Sequence, residues 1–585
     1  MSENPQHSTG TQRDVGKQEN TGKQVDVGKQ EGAGTRQKAG TAVAEPEEEA
    51  ASGAPEETEA EAGTEARPVA LRLPARAART LVLAAVFTCA ACGLVYELAL
   101  VALGSYLMGN SVTQASIVLS VMVFAMGVGS LAAKPLQSRP VAAFAIVEGA
   151  LALLGGLSVL ILYAAFAWLD LYVPALVVIA FGVGALIGAE IPLLMTLLQR
   201  IRRQDAGSAV ADLFAADYVG ALLGGLAFPF FLLPLFGHIK GALLVGAVNA
   251  VAGIAVVLWL FRQDVGRGVR VGLWAGMAAV LAVLGTTYAL ADGFEMSARQ
   301  VLYRDPIALT RQTPYQEIVL TRKVALSGRP DLRLFLNGDL QFSSVDEYRY
   351  HEALVHPAMA GKRRDVLILG GGDGLALREV LRYPDVRSVT LVELDPEMVK
   401  LARTHKEIAA LNGHAFDDPR VRTVTADAFS WLRSVDRSFD SIVVDMPDPD
   451  DVATAKLYSV EFYGLVKRAL NPGGRMVVQS GSPYFAPNSF WCIGKTIGEA
   501  GWATVPYHVD VPSFGDWGYV LATPTSEPPK LELPSDLPGG LRFLDADVLR
   551  SAAVFGKDLR RRDVEVNTLM NPRLVEYEGD EWKNS

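Results

Sequence analysis

Long apolar runs between residues 81 and 291 constrain the fold of this chain more than any other feature of its sequence. A helix needs about 20 mainly apolar residues to cross the hydrocarbon core of a bilayer. Runs of that length recur here with short polar breaks, and in lipid they satisfy their backbone hydrogen bonds only as helices. The pattern predicts a multi-pass α-helical membrane domain over 76–292 with about seven helices, at 81–103, 112–134, 141–166, 172–198, 213–236, 240–261 and 270–291.

The segment before these runs, 1–75, is rich in Gly, Gln, Lys, Glu and Thr and carries a long acidic run. Such a composition cannot bury enough apolar surface to offset chain entropy, so we expect a disordered acidic tail. The formal charge of the whole chain, −10, argues against nucleic-acid binding. Three cysteines are too few for a disulfide framework, and we interpret the C-x-x-C pair Cys89 and Cys92 as helix packing.

From residue 297 onwards, short strands and helices alternate as in a soluble domain. The stretches QEIVL and LRLFLNG predict a small β-subdomain over 297–345. Strands at DVLILG, VTLVEL, VRTVTA, SIVVDM and RMVVQS predict an α/β domain over 346–585 with a parallel, doubly wound sheet. Ligands bind at the carboxyl ends of the strands in such sheets.

A glycine-rich turn, GGGDG at 370–374, follows the first strand of this series. Glycine lets the backbone adopt positive φ and approach a ligand closely. Glu393, which ends the next strand, can accept hydrogen bonds from both ribose hydroxyls of a nucleoside. The third strand ends at Asp427-Ala428, where such folds contact an adenine edge; the alternative for Asp427 is an N-cap of the following helix.

Three acidic positions near these strand ends predict that the ligands carry amines. Asp373, in the glycine turn, suits a ligand whose tail is a bare ammonium. Asp445 and Asp448, in DMPDP after the fourth strand, form an acidic pair beside two prolines. Such a carboxylate can bind an ammonium, accept its proton and hold the lone pair in line with an electrophilic carbon. The alternatives are a simple Asp-Pro turn or a metal site.

In order and spacing these motifs resemble spermidine synthase, of the polyamine aminopropyltransferase family, over roughly 310–525. The resemblance is carried by Tyr315-Gln316 and by LNGDLQFSSVDEYRYHEALVHP, GGGDGLALREVLR, VTLVELDPEMV, DPRVRTVTADAF, VVDMPDPD and KLYSVEFY. The preceding apolar half is similar to the membrane domain of some bacterial members. The resemblance implies a Rossmann-like, methyltransferase-type domain preceded by the small β-subdomain.

The resemblance also implies a role for each candidate residue. Asp445 would be the catalytic proton acceptor. The residues implied to bind the nucleoside are Gln316, Gly370, Gly372, Glu393, Asp427 and Ala428. The residues implied to bind the amine or the aminopropyl chain are His351, Asp373 and Asp448. For His351, the alternative is a structural role within its own helix.

The implied reaction transfers the aminopropyl group of decarboxylated S-adenosylmethionine to putrescine, giving spermidine and 5′-methylthioadenosine, without a metal or a further cofactor. Besides these two substrates, the expected partners are the lipid bilayer and further copies of this chain in a homodimer or homotetramer. The alternatives are transfer to cadaverine, agmatine or spermidine, methyl transfer from S-adenosylmethionine, and a non-catalytic polyamine transporter or sensor. The sequence departs from the family at Asn337-Gly338, Leu375 and Asp450-Asp451-Val452, which leaves the acceptor amine open.

The two halves of the sequence give opposite indications of membrane orientation. By the positive-inside rule, the basic residues beside alternate helix ends place the N-terminus in the cytosol. These are Arg76, Arg79, Lys134, Arg139, Arg200, Arg202, Arg203, Arg262, Arg267 and Arg270. Seven spans would then place the C-terminal half outside, whereas its nucleoside cosubstrate is cytosolic. We expect a multi-pass protein of the cell membrane with a cytosolic catalytic domain.

Acidic residues within the predicted spans are a second feature of the apolar half. They are Glu97, Glu148, Glu190, Asp212 and Asp217. Such residues are costly in lipid and are usually paired or functional. The sequence shows no obvious Lys or Arg partner at matching depth. We interpret them either as the lining of a polar cavity for a cation or as hydrogen-bonding groups between helices.

Overall fold

The structure, a computed structural model, describes residues 74–581 except 109–110, 170, 202–205, 255–258, 264, 304 and 325–329. Apart from its last two residues, the predicted acidic tail lies outside this part of the chain, as do Arg202 and Arg203. The predicted fold class is confirmed, because long apolar helices are followed by a small antiparallel sheet and an α/β domain.

Seven apolar helical segments make up the first half of the described chain. They are α1 (Ala75–Met108), α2 (Ser111–Ala132), α3 (Pro140–Ala164), α4 (Tyr172–Ile201), α5 (Ala206–Ala227), α6 (Leu233–Ile254) and α7 (Arg267–Tyr303). By length and composition, six helices of the described residues could cross a membrane, since 210–253 is one continuous helical stretch. The predicted fifth span and the first part of the predicted sixth fall in this stretch, where the π-helical turn Phe228–Leu232 joins α5 to α6 without a loop.

Contacts with α1 show that α5 and α6 nevertheless run in opposite directions. Where α5 contacts α1, residue numbers increase in the same direction along both helices, so the two are parallel. Where α6 contacts α1, they increase in opposite directions, so the two are antiparallel. The contacts are Gly220–Phe87 and Gly224–Ala91 for α5, and Val245–Cys92 and His238–Tyr106 for α6. Gly237, near the start of α6, breaks the helical geometry with φ 69° and ψ −174°, in a conformation that glycine adopts without strain. The chain therefore crosses the bundle twice within 210–253.

The last helix of the bundle, α7, runs in the same direction as α1. Both are parallel to α3, because residue numbers rise together in all these contacts. The contacts are Cys89–Glu148 and Tyr96–Gly155 between α1 and α3, and Met277–Gly149 and Leu284–Gly156 between α7 and α3. The α/β domain therefore begins at the end of the bundle opposite Pro74. Of the basic residues used above for the positive-inside rule, Arg79, Arg139 and Arg270 lie at the Pro74 end.

The helix α7 continues to Tyr303, beyond its predicted end at 291, so the predicted start of the β-subdomain at 297 lies within it. The extra turns carry Arg299, which pairs with the buried carboxylate of Glu317 at 2.9 Å. Tyr106, near the end of α1, donates its hydroxyl to the same carboxylate. Two bundle helices therefore hold one buried acid of the β-subdomain.

Two sheets form the second half of the described chain. The antiparallel sheet has the order β1-β2-β3-β4, with β1 (Ile307–Gln312), β2 (Glu317–Val324), β3 (Pro330–Leu336) and β4 (Asp339–Ser343). The larger sheet comprises β5 (Asp365–Gly370), β6 (Ser388–Glu393), β7 (Val421–Thr425), β8 (Phe439–Asp445), β9 (Leu470–Gln479), β10 (Ala503–Val511) and β11 (Gly515–Thr523). Its order is β10-β11-β9-β8-β5-β6-β7. The strands β5 to β9 are parallel, whereas β10 and β11 add an antiparallel hairpin.

Helices cover both faces of the larger sheet. They are α8 (Glu347–Val355), α9 (Leu375–Leu381), α10 (Pro396–Thr404), α11 (Lys406–Leu411), α12 (Ala428–Ser434), α13 (Val452–Ala455), α14 (Val460–Arg468), α15 (Pro487–Glu499), α16 (Ala546–Ala552) and α17 (Arg573–Glu581). Along β5, Val366 and Ile368 join one apolar core, and Leu367 and Leu369 join another. Burial on both faces explains why this strand is apolar throughout.

Candidate active site

A cavity of about 320 Å³ opens at the carboxyl ends of β5, β6 and β8, where the small sheet meets the larger one. The structure brings all ten candidate residues to its wall. They are Gln316, His351, Gly370, Gly372, Asp373, Glu393, Asp427, Ala428, Asp445 and Asp448. The hairpin of β10 and β11, which was not predicted from the sequence, also contributes to the wall, since Phe514 and Trp517 line the cavity.

The glycine turn after β5 leaves no room for side chains. A Cβ at Gly370 would lie 2.1 Å from the carbonyl oxygen of Asp445, and one at Gly372 would lie 2.7 Å from the Glu393 carboxylate. Gly370 also has a φ of 82°, in the left-handed region. Without side chains, the backbone of this turn can approach a ligand closely.

Glu393 stands at the end of β6 and accepts a hydrogen bond from the backbone N–H of Asp395 at 3.0 Å. Burial raises the pKa of its carboxyl to about 7. The Asp395 carboxylate in turn accepts a hydrogen bond from the Gln316 amide at 3.0 Å. Gln316 is thereby held against the β6 edge of the cavity.

Asp427 caps the helix α12, as one of its two predicted roles required. Its carboxylate accepts hydrogen bonds from the backbone N–H of Ser430 at 3.2 Å and from the Ser430 hydroxyl at 2.7 Å. It also pairs with Lys456 at 3.2 Å. Although burial raises it, these contacts hold the pKa of Asp427 below its usual value. The carboxylate is therefore occupied, and the neighbouring Ala428 and the backbone remain available to a ligand.

Asp445 ends β8 and faces the cavity with its carboxylate. The hydroxyl of Tyr350 donates a hydrogen bond to it at 2.7 Å. Burial raises the pKa of Asp445 to about 6, and the charge of Asp373 adds to this shift. This carboxyl can therefore take up a proton close to neutral pH, as a general base must.

Asp448 lies at the turn after Asp445 and accepts a hydrogen bond from the Gln479 amide at 3.1 Å. Gln479 is itself held by the carbonyl of Met446 at 2.6 Å. Burial raises the pKa of Asp448 to about 6, and the charge of Asp450 contributes. Two carboxyls of similar pKa therefore line one cavity, at the end of β8 and in the turn that follows it.

His351 is bound within its own helix, α8, and also lines the cavity. Its Nδ1 lies 2.7 Å from the carbonyl oxygen and 3.1 Å from the carboxylate of Glu347, which also binds Arg378. Burial lowers the pKa of His351, but the Glu347 carboxylate and the charges of Asp373 and Asp445 raise it above the usual value. The contacts with Glu347 therefore fix the orientation of the imidazole, and the ring still lines the cavity.

Asp373 turns its carboxylate back towards α9 and accepts a hydrogen bond from the backbone N–H of Leu375 at 2.9 Å. Burial raises the pKa of this carboxyl, whereas the nearby charge of His351 lowers it. Asn412 fixes the turn from behind by donating to the Asp373 carbonyl at 2.9 Å. These two hydrogen bonds fix Asp373 within the glycine turn, where it lines the cavity.

Tyr350, Asp339 and Gln479 also line the cavity, although sequence reasoning did not single them out. Asp339 begins β4, and burial together with the charges of Asp450 and Asp448 raises its pKa to about 7. The available signal was the crowding of acids in NGD and DPDD, which is unusual for strand ends. No comparable signal marked Tyr350 or Gln479.

Comparisons with known proteins agree with the motifs. Residues 347–532 match the family model of the spermine/spermidine synthase domain. The chain is 65% identical over 509 residues to polyamine aminopropyltransferase 1 of Streptomyces coelicolor, covering 87% of this chain and 96% of the relative. It is 48% identical over 513 residues to the polyamine aminopropyltransferase of Mycobacterium tuberculosis, covering 86% and 97%. The solved spermidine synthase from Thermotoga maritima is 26% identical, with a TM-score of 0.39, covering 44% of this chain and 88% of that chain.

Proposed function

The chain belongs to the polyamine aminopropyltransferase family, and from that premise we propose that it transfers the aminopropyl group of decarboxylated S-adenosylmethionine to putrescine, giving spermidine and 5′-methylthioadenosine. Membership rests on relatives that this chain matches over nearly their whole length. The observation that carries the proposed roles is the acidic pair Asp445 and Asp448 in one cavity with Asp373. With Asp373 assigned to the aminopropyl tail and Asp445 and Asp448 to the acceptor, the carboxylates suit two ligands that each carry a free amine.

In the proposed step, the acceptor nitrogen attacks the aminopropyl carbon bonded to the sulfonium. The C–N bond forms as the C–S bond breaks, and the electron pair of that bond goes to sulfur, which leaves as the neutral thioether of methylthioadenosine. The proton of the attacking amine goes to Asp445, and Asp448 binds the amine beforehand. Because the sulfonium is already a good leaving group, the protein mainly supplies orientation and a base.

The nucleoside is assigned to the β6 and β7 side of the cavity. Glu393 accepts hydrogen bonds from the ribose hydroxyls, with Gln316 beside it. The segment Asp427-Ala428 meets the adenine edge through Ala428 and the backbone, since the Asp427 carboxylate is occupied by Ser430 and Lys456. His351 and Asp373 face the aminopropyl tail, whose terminal ammonium pairs with the Asp373 carboxylate.

Methyl transfer is the competing reaction for a sheet of this type. Ordinary S-adenosylmethionine carries a carboxylate on its tail, which Asp373 and Asp445 would repel. The acid in the glycine turn therefore favours the decarboxylated cosubstrate.

The reaction can be tested with the full chain purified in detergent. Decarboxylated S-adenosylmethionine is supplied with an equimolar panel of putrescine, cadaverine, agmatine and spermidine, and mass spectrometry follows methylthioadenosine and each aminopropylated product. We expect spermidine from putrescine, and its rate to fall about 10²–10⁴-fold in Asp445→Asn. Asp436→Asn, an exposed acid in the loop before β8, is the matched control. Absence of methylthioadenosine with every amine would contradict aminopropyl transfer, whereas another amine as acceptor would change only the substrate.

The side of the membrane can be tested separately. We expect the catalytic domain in the cytosol, where the nucleoside cosubstrate is made. The three native cysteines are buried, so Ser434→Cys, at an exposed position of the α/β domain, adds one reactive thiol. It should resist a membrane-impermeant maleimide in intact cells and react after lysis. Labelling of intact cells would instead place the domain outside, as the basic residues at the Pro74 end indicate.

A further inference from the structure

Four helices of the bundle bring buried polar side chains together at one place. They are Cys89 of α1, Glu148 of α3, Glu190 of α4 and Asn249 of α6. The Cys89 Sγ and one carboxylate oxygen of each glutamate all lie within 4.8 Å of one another. The Asn249 amide donates to the Glu148 carboxylate at 2.8 Å. All four are at most 5% exposed, so the cluster lies inside the bundle.

No basic side chain balances these two carboxylates in the part of the chain that the structure describes. The described ion pairs of the bundle involve other acids, namely Asp212 with Arg79, Asp292 with Lys240, and Glu295 and Glu317 with Arg299. The pair of Asp212 with Arg79 corrects the expectation that the acids of the spans lack basic partners. Two buried carboxylates without a counter-charge are costly in a bilayer, so a cation or protons must balance them.

Two oxygen atoms at this cluster have no hydrogen-bond partner among the described residues. They are Oε1 of Glu148 and Oδ1 of Asn249, on side chains with no exposed surface. Buried polar atoms are nearly always paired, and a bundle interior offers little water to pair them. Both oxygens are free to bind a cation, and both belong to side chains that already touch each other.

We propose that Cys89, Glu148, Glu190 and Asn249 bind a divalent, thiophilic cation of the zinc class. A thiolate and two carboxylates are ordinary zinc ligands, and the Asn249 carbonyl oxygen supplies a fourth donor for a tetrahedral site. A thiolate disfavours Mg²⁺ and Ca²⁺, which prefer oxygen ligands throughout. The Cys89 thiol releases its proton when it binds the cation, and the two positive charges then offset two of the three negative charges of the thiolate and the two carboxylates.

The surrounding residues restrict this role to one cysteine of the C-x-x-C pair. Cys92 turns away, with its Sγ 3.7 Å from the carbonyl oxygen of Val245. A Cβ at Gly253 would lie 2.8 Å from the Cβ of Glu148, so the glycine makes room for this ligand. The interpretation of the pair as helix packing therefore holds for Cys92, whereas Cys89 joins the proposed site.

The test uses the full chain, purified in detergent through a tag without metal affinity, and does not depend on transferase activity. Bound metal is measured by mass spectrometry, and Co²⁺ is then titrated into the metal-stripped protein. The double variant Cys92→Ser/Cys492→Ser leaves Cys89 as its one thiol. We expect about one equivalent of metal, and a thiolate-to-cobalt absorption band in both the wild type and this double variant.

Two further variants locate the ligands. Cys89→Ser should lose the absorption band, and Glu148→Gln/Glu190→Gln should lose the bound metal. If Cys89→Ser elutes as an aggregate, the double variant decides, because any thiolate band it shows must come from Cys89. Metal-free, monodisperse wild type without a cobalt band would overturn the proposal, as would a band that persists in Cys89→Ser. The first result would mean that the two glutamates are balanced by protons, and the second that Cys92 or Cys492 rather than Cys89 binds the metal.

Discussion

The hydroxyl of Tyr350 donates a hydrogen bond to the Oδ1 of Asp445 at 2.7 Å, joining helix α8 to the end of strand β8. Burial and the Asp445 charge raise the pKa of Tyr350 well above its usual value, so the hydroxyl stays a donor across the physiological range. The bond favours the ionised carboxylate and opposes the burial that raises the pKa of Asp445 to about 6. Tyr350 therefore sets both the orientation and the protonation of the proposed base.

Tyr350→Phe should shift the pH profile of the reaction as well as slow it. Without the hydroxyl, the charge of His351 still stabilises the charged carboxylate but the hydrogen bond is lost, so the pKa of Asp445 rises above about 6. The acidic limb of kcat then moves to higher pH, and kcat at neutral pH falls by roughly tenfold. The measurement is kcat against pH for both proteins.

Tyr463→Phe is the control for this substitution. Tyr463 is fully buried in the α/β core, and its hydroxyl has no partner among the described residues. Its removal should leave the pH profile unchanged. A rate that falls equally at every pH in Tyr350→Phe would show that the tyrosine only supports the structure.

The wild-type enzyme should lose activity on acidification at a higher pH than an ordinary aspartate would dictate. The pKa values of Asp445 and Asp448 are both raised to about 6 by burial. Below that pH the base is protonated and cannot accept the amine proton, and above it both carboxylates are charged. We expect kcat/KM for the amine to rise with pH through about 6, rather than near the usual aspartate pKa of about 4. A flat profile down to about pH 5 would contradict these roles.

The features predicted correctly from the sequence are those whose signals are local. The strands β5, β6 and β8 are apolar runs that each end in a glycine or an acid, and in a parallel sheet their carboxyl ends meet at one edge. Knowing the strands was therefore enough to place Gly370, Glu393 and Asp445 around one cavity. The expectation needed no knowledge of how distant segments pack.

The features that were missed depend on contacts between distant parts of the chain. Tyr350 and Asp445 are 95 residues apart, and nothing near either one marks the contact. The sequence predicted two separate spans over 213–236 and 240–261, whereas the structure has one continuous helical stretch over 210–253 that includes the π-helical turn Phe228–Leu232. The end of α7 was placed too early because the pairing of Arg299 with Glu317 keeps a less apolar segment helical.

Glu317→Gln should destabilise the junction between the bundle and the β-subdomain. The Glu317 side chain has no exposed surface, and its loss leaves the largely buried Arg299 guanidinium without this partner. Breaking a buried ion pair from one side costs about 3–5 kcal/mol. Glu295→Gln removes the more exposed partner of the same arginine, for which about 0–1 kcal/mol is expected. Thermal unfolding in detergent compares the two, and equal losses would contradict a special role for Glu317.

Asp339→Asn and Asp450→Asn should weaken the binding of the acceptor amine. Both acids line the cavity near Asp448, close enough for the three charges to interact, and we expect a second ammonium of a diamine to bind there. A charged hydrogen bond contributes about 1.5–3 kcal/mol, so each change should raise the KM for the amine roughly tenfold or more. The KM for the nucleoside cosubstrate should stay the same, because the nucleoside is assigned to the opposite side. Asp436→Asn again serves as the control, being exposed and outside the cavity.

Asp450→Asn should also change the pH profile, in the direction opposite to Tyr350→Phe. The charge of Asp450 contributes to raising the pKa of Asp448 to about 6, after the larger effect of burial. Without that charge, the pKa of Asp448 falls, so amine binding persists to lower pH. The measurement is kcat/KM for putrescine and for spermidine against pH. If Asp450→Asn changed neither the KM for the amine nor the acidic limb of the kcat/KM profile, the acceptor amine would not contact Asp450. Asp448 would then bind the amine without its help.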